Sequence, residues 1–212
     1  MRRFLLLAHK VPVRGEFTLN DLAGGAGRMD EVARAVSTAF TLSNTLRRDT
    51  EVAILFAAEP PPASRRVELV GARLRYLNPD ERSTAALLKN ALVRAANVER
   101  DFESSPGLSV GPVDPLAYLG SFLSRSGALW LSEDGNPLAE GLPAGPEVAA
   151  VVSDPHDPTV EERAVLERSG VPRLSVGPRV LRTSQVLDIF HHELDVREAR
   201  ARSREARARP EG

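Results

Sequence analysis

Short apolar runs alternate with amphipathic stretches along almost the whole chain. "RFLLLAH" (3–9), "EVAILFAA" (51–58), "GALWLSEDG" (127–135) and "EVAAVVSD" (147–154) are apolar runs of strand length, which reads as buried strand. Between them, "RMDEVARAVSTAFTLSN" (28–44) places Met29, Val32, Val36 and Phe40 on one helical face. Residues 78–98 read as a helix with Asp80 as N-cap and Leu88, Leu92 and Ala95 as its stripe. Residues 159–170 read as a helix with a Thr159–Glu162 capping box and Gly170 as its stop. Strands that alternate with helices predict an α/β fold, a parallel sheet with helices on both faces.

The remaining segments fit that frame. "RVELVGARLRYL" (66–77) alternates as a strand, with Gly71 at a bulge or bend. Pro60-Pro61-Pro62 stops the second strand. Residues 106–113 read as a short strand, 115–125 as a short helix with proline in its first turn, and 127–135 as a strand ending in an acidic turn. Residues 136–146 read as loop, and Pro155 and Pro158 close the strand at 147–154. "GVPRLSVGPRVLRTSQVLDIFHHELD" (170–195) is a short strand, a Gly-Pro turn and a long amphipathic helix. With 212 residues, no long linker and no internal repeat, residues 1–196 read as one domain. Residues 197–212 are Arg/Ala/Glu-rich without an apolar stripe, hence a frayed helical extension or disordered.

Composition removes several chemistries. There is no cysteine, which excludes disulfides, thiolate metal sites and thiol nucleophiles. The net charge of −1 gives no global basic field, so a nucleic-acid partner must use local patches. Lys10 and Lys89 are the only lysines, which leaves phosphate contacts to arginine forks. No apolar stretch approaches the ~20 residues of a membrane span, and the N-terminal apolar run is too short for a signal peptide. A cytoplasmic protein without membrane partners is the expectation.

Two loops are candidates for ligand binding. In open α/β sheets ligands sit outside the carboxyl ends of strands. Leu131, Ser153 and the run Ser175-Val176-Gly177-Pro178 occupy three such ends; the last is either a tight connection or a ligand cradle. "NDLAGGAGRMDEV" (20–32) brings Gly24, Gly25 and Gly27 to a helix start beside Arg28, which is either a flexible loop or an anion site. The glycine spacing fits neither a P-loop nor a dinucleotide fingerprint. His191 and His192 are adjacent and point about 100° apart, so they do not share a metal. Asp154, His156 and Asp157 lie between prolines and read as a turn, so no metal is expected. Asp21, Asp80, Glu81, Glu133 and Asp134 sit at element edges, where caps and turns are the common role. The tail arginines Arg197, Arg200, Arg202, Arg204, Arg207 and Arg209 could track a phosphate backbone or simply be solvated among glutamates.

Taken in order, "FTLNDLAGGAGRMDEV", "NPDERS", "LWLSEDG" and "LSVGPRVLRTSQVLDIFHHELD" resemble the TrmY family over residues 1 to about 196. These are SPOUT-class methyltransferases that use S-adenosylmethionine to methylate N1 of pseudouridine 54 in tRNA. The resemblance implies a SPOUT fold with a C-terminal deep trefoil knot, a homodimer, and tRNA as partner. It implies a cofactor site lined by Leu131, Ser153, Leu174, Ser175, Val176, Gly177, Pro178, Leu181 and Val186. On the substrate side, the polar motif beside the candidate anion site makes Asp21 the candidate for assisting proton removal, with Asn20 and Arg28 holding base or phosphate. The chain departs from the family pattern at Ser153-Asp154-Pro155, where Gly-Asp-His or Thr-Asp-His is common, and at Val186, where cysteine is common. The alternative reading is a knotted-fold RNA-binding or cofactor-binding module with weakened catalysis.

Overall fold

The computed structural model describes residues 1–58 and 64–208; the Pro60-Pro61-Pro62 stop and Arg209 lie outside them. Fourteen elements follow in chain order: β1 (Arg2–Ala8), α1 (Met29–Phe40), β2 (Thr50–Phe56), β3 (Arg65–Val70), α2 (Glu81–Ala95), β4 (Phe102–Ser105), β5 (Leu108–Pro112), α3 (Pro115–Leu123), β6 (Ala128–Pro137), α4 (Leu138–Gly141), β7 (Val148–Ser153), α5 (Val160–Ser169), β8 (Arg173–Ser175) and α6 (Thr183–Ala208). One eight-stranded sheet runs in the order β4-β5-β3-β2-β1-β7-β6-β8.

The sheet is mixed rather than wholly parallel. β2, β1, β7, β6 and β8 run parallel, whereas β3, β5 and β4 continue the sheet antiparallel. Connection length explains the reversal at β3. A parallel return needs a crossover of about a dozen residues or more, and residues 57–64 are too few. β4 escaped the sequence pattern because it is an edge strand, "FESS", with no fully buried residue. It turns into β5 through Gly107, whose φ of 78° suits glycine.

β1 carries the centre of the core. Phe4, Leu6 and Ala8 pack into the layer under α1, α2 and α6, while Leu5 and Leu7 face the layer under α3 and α5. Strand alternation thus divides one apolar run between two cores. Met29, Val32, Val36 and Phe40 are all buried along α1, as their spacing predicts. Asp80 caps α2 by accepting from Ser83 N–H at 2.8 Å, and Asp114 caps α3 ahead of Pro115. α5 has the full Thr159–Glu162 capping box and ends on Gly170 at φ 67°.

Two late elements differ from the sequence reading and shape the site. β6 does not end at an acidic turn; its pairing with β8 shifts between Leu131 and Asn136, so 132–135 bulge out and the strand resumes to Pro137. Gly135 is required there, since a Cβ would come within 2.4 Å of the Leu174 backbone. The stretch 136–146 contains the short helix α4. α6 is helical across the 196/197 boundary and out to Ala208. It packs on α1 and is held by Arg2 at 2.6 Å from Asp195 and 2.9 Å from Glu198, and by Arg47 at 2.7 Å from Asp195.

Candidate cofactor cavity

A cavity of about 670 Å³ is lined by residues of β6, β7 and β8 and the segments that follow them, within the 300–1,000 Å³ typical of small-ligand sites. Its apolar wall is Leu131, Val152, Val176, Leu181 and Val186. The acidic bulge of β6, the turn 153–158 and the first turn of α6 complete it. Thr183 Oγ1 donates to Ser153 O at 2.6 Å, which ties the start of α6 to the end of β7. Trp130 forms part of the lining and carries the Arg173 and Arg163 guanidiniums at 4.4 and 5.7 Å from its ring centre.

The sequence-predicted cofactor residues divide. Leu131, Ser153, Ser175, Val176, Leu181 and Val186 line the cavity. Leu174 lies beneath it, 1% exposed. Gly177 and Pro178 belong to the bordering loop but are not lining residues. Ser175 Oγ donates to Gly177 O at 2.8 Å and locks that loop. Ser153 spends its O–H on His156 O at 2.5 Å, so its hydroxyl can only accept from a ligand. Pro155 is a lining residue too.

Of the N-terminal loop, only Arg28 reaches the lining. It is the sole non-glycine residue with positive φ among the described residues, at 69°, a strained conformation that clusters at functional positions. Its Nε and Nη2 hold Asp30 at 2.9 and 3.0 Å, and Nη2 also reaches Glu31 at 3.0 Å. Asn20 and Asp21 stand outside the cavity. Asp21 accepts from Gly24 and Gly25 N–H at 2.9 and 2.7 Å. The Gly25 bond, then that from Gly24, lowers its pKa and weakens it as a proton acceptor. Glu31 lines the cavity, is 3% exposed, and keeps Oε2 without a hydrogen-bond partner among the described residues.

Beneath the turn 153–158 lies a charged cluster that joins Asp154 and His156, read from the sequence as part of a turn, to His9 and Glu162, which that reading did not connect with them. His9, just past β1, contacts Asp154 Oδ1 through Nδ1 at 2.8 Å and Glu162 Oε2 through Nε2 at 2.9 Å. Its backbone N–H also donates to Asp154 Oδ2 at 2.9 Å. Burial opposes charge on the ring, but the bonds to Asp154 and Glu162 outweigh it and push the pKa up to about 9. Both carboxylates are lowered, since the same bonds outweigh their own burial. The imidazolium therefore cross-links the ends of β1 and β7 to the first turn of α5. His156 approaches Asp154 Oδ1 at 3.2 Å, so His9, Asp154 and His156 also lie close enough to share an ion. His9 already has a carboxylate on each ring nitrogen, which gives the cluster a complete set of partners without one.

The profile of a family described as "Putative SAM-dependent RNA methyltransferase" matches residues 1–199. The chain belongs to this family. Within the SAM-dependent RNA methyltransferase family, its relatives include the tRNA (pseudouridine(54)-N(1))-methyltransferase of Methanosarcina mazei, 39% identical over 94% of this chain and 93% of the relative. The enzyme of the same name from Methanocella arvoryzae is 37% identical over 93% and 100%. Archaeoglobus fulgidus Nep1, solved bound to S-adenosylhomocysteine, shares the fold with a TM-score of 0.65 at 14% identity, covering 93% of this chain and 98% of Nep1. The family expected from the ordered motifs is the one found.

Two further histidines lie on α6. His191 is buried; burial first, then Arg47 and Arg2, depress its pKa to about 3, and it faces Arg2 Nη1 at 3.0 Å. His192 is exposed on the same helix. No helix among the described residues is long and apolar enough to cross a membrane.

Proposed function

We propose that this protein is an S-adenosylmethionine-dependent enzyme that methylates N1 of pseudouridine 54 in tRNA. The observation carrying this is the cavity itself. It is built around three strands, β6, β7 and β8, with lining residues between positions 28 and 186, inside the span shared with relatives that bear that enzyme name. The fit to the cofactor rests on volume and on a lining that combines an apolar wall with arginines; the partnerless Glu31 oxygen is left for the substrate base.

When bound, the cofactor supplies a methyl group on a positively charged sulfur. The protein must hold pseudouridine N1 in line with it, about 3 Å away, and let the N1 proton leave. Leu131, Ser153, Ser175, Val176, Leu181 and Val186 grip the cofactor, and Leu174, Gly177 and Pro178 hold the loop that bears them. Glu31 Oε2 receives an N–H of the base. Arg28 meets the substrate through Nη1, which no described residue engages. Asp21, with Asn20 beside it, works by folding the loop that presents Arg28. The segment from β8 into α6 threads as the trefoil knot of the SPOUT class, and two copies associate. Val160 and Val180, 81% and 78% exposed beside the cavity, are the apolar side chains a second copy would cover.

The deciding experiment incubates the protein with isotope-labelled cofactor and two tRNA transcripts, one with pseudouridine and one with uridine at position 54. Nucleoside mass spectrometry should find N1-methylpseudouridine in the first alone. Absence of methyl transfer to both would overturn the reading.

A further inference from the structure

At the end of the sheet opposite the cavity, residues 71–77 form a rigid, outward-facing segment. Gly71, Leu74 and Leu77 are buried, and Arg73, Arg75 and Tyr76 are exposed between them. The backbone is fixed from several sides. Arg73 and Leu74 N–H both donate to Val70 O at 2.9 Å. Arg48 Nη1 donates to Gly71 O and Leu74 O at 2.8 Å. Gly107 lies so close that a Cβ would come within 2.5 Å of Leu74 N. Three arginines, Arg48, Arg73 and Arg75, and one glutamate, Glu103, line an open hollow of about 900 Å³ here. Glu103 is occupied by Arg73 at 3.3 Å. Arg75 has no ion-pair partner among the described residues. Tyr76 is 64% exposed, the most exposed aromatic of the described residues.

We infer that this surface binds the RNA substrate at a second place, with Tyr76 stacking on an unpaired base and Arg73 and Arg75 on neighbouring phosphates. The inference rests on the RNA-methyltransferase reading above. An exposed aromatic ring in a hollow that arginines also line suits unpaired nucleotides, because every base offers a π-face and every linkage a negative charge. A protein of net charge −1 needs such a local patch. Its position sets the size of the ligand. Val70 pairs with Glu51 at the start of β2, while the cavity lies beyond the other end of the parallel strands. Seven strand residues at about 3.3 Å each separate the two by roughly 20 Å. One nucleotide cannot occupy both, so the patch reads a part of the RNA remote from the methylated base.

The test uses the full chain and full-length tRNA, with fluorescence anisotropy for RNA affinity and calorimetry for S-adenosylmethionine. Tyr76→Ala should weaken the tRNA Kd about tenfold, while Tyr76→Phe, which keeps the stacking face, should bind as the parent does. Arg75→Ala should reduce the slope of log affinity against log salt by about one. The cofactor Kd and the melting temperature should not move in any variant. Unchanged tRNA affinity in Tyr76→Ala would overturn the inference. So would affinity lost only in step with a change in oligomeric mass, which would make the patch a seat for a second copy. A parent chain that binds tRNA but transfers no methyl would sink the proposed function and leave this surface standing. A parent that methylates normally, with Tyr76→Ala indistinguishable from it, would sink the surface alone.

Discussion

His9 shows how one residue can hold a site without facing its ligand. Its ring joins β1, β7 and α5 through Asp154 and Glu162, directly below the turn that forms one cavity wall. His9→Gln removes the charge and leaves two buried carboxylates without their counter-ion, which typically costs about 3 kcal/mol. Urea unfolding near pH 7 should record that loss. The pH dependence has a definite sign. The ring's ordinary pKa of 6.5 is raised to about 9 in the fold. Its stabilisation is therefore complete below about 6.5 and fades as pH climbs through 9. The gap between parent and His9→Gln should accordingly narrow in alkaline buffer. Glu31 tests the opposite case, a cavity-lining residue with a carboxylate oxygen that no described residue engages. Glu31→Gln keeps the shape and loses the charge. It should lower kcat for tRNA methylation about tenfold or more, with the cofactor Kd, read by calorimetry, little changed. Neither role was visible in the sequence. His9 follows an apolar strand with no neighbouring ligand pattern, and its partners lie 145 and 153 positions away. Glu31 reads as an ordinary first-turn acid of α1. Arg28, by contrast, could be singled out from the sequence by the glycines before its helix start, and it does line the cavity.

Among the elements, legibility followed burial. β1, β2 and β7 could be read because burial on both faces demands unbroken apolar runs, and α1 because its stripe spans three turns. β4 and the bulge in β6 could not, because edge pairing and register shifts leave the side-chain pattern nearly untouched. The antiparallel part of the sheet, three strands of eight, was hidden in a connection length rather than in any motif. α5 is the clearest agreement. Its Thr159–Glu162 box closes with Thr159 N–H on Glu162 Oε2 at 2.8 Å and Glu162 N–H on Thr159 Oγ1 at 3.2 Å. The same Glu162 oxygen receives His9, so the cap and the cluster share one carboxylate. Thr159→Ala should therefore cost more than an isolated cap, about 1–2 kcal/mol by chemical denaturation. Combined with His9→Gln it should cost less than the two losses added, since both act on Glu162.

Across the whole molecule, the cavity draws on segments that lie far apart in the chain. Its lining comes from residues as far apart as Arg28 and Val186. α6 begins at the cavity with Thr183 and is pinned near the opposite end of the sheet by Arg2 and Arg47 on Asp195. A ligand that grips the start of α6 therefore pulls on a helix that the first strand also holds. If S-adenosylmethionine binds only the native arrangement, stability must rise with its concentration. At a hundred times Kd the gain is about 2.7 kcal/mol, or a melting temperature higher by roughly 5–10 °C for a chain of this length. Hydrogen exchange with and without cofactor distinguishes a global effect from a local one. Slowed exchange should extend through α6 beyond Asp195 and into β1. Slowing confined to residues 175–182 would mean that the loop closes on its own and that the coupling described here does not exist.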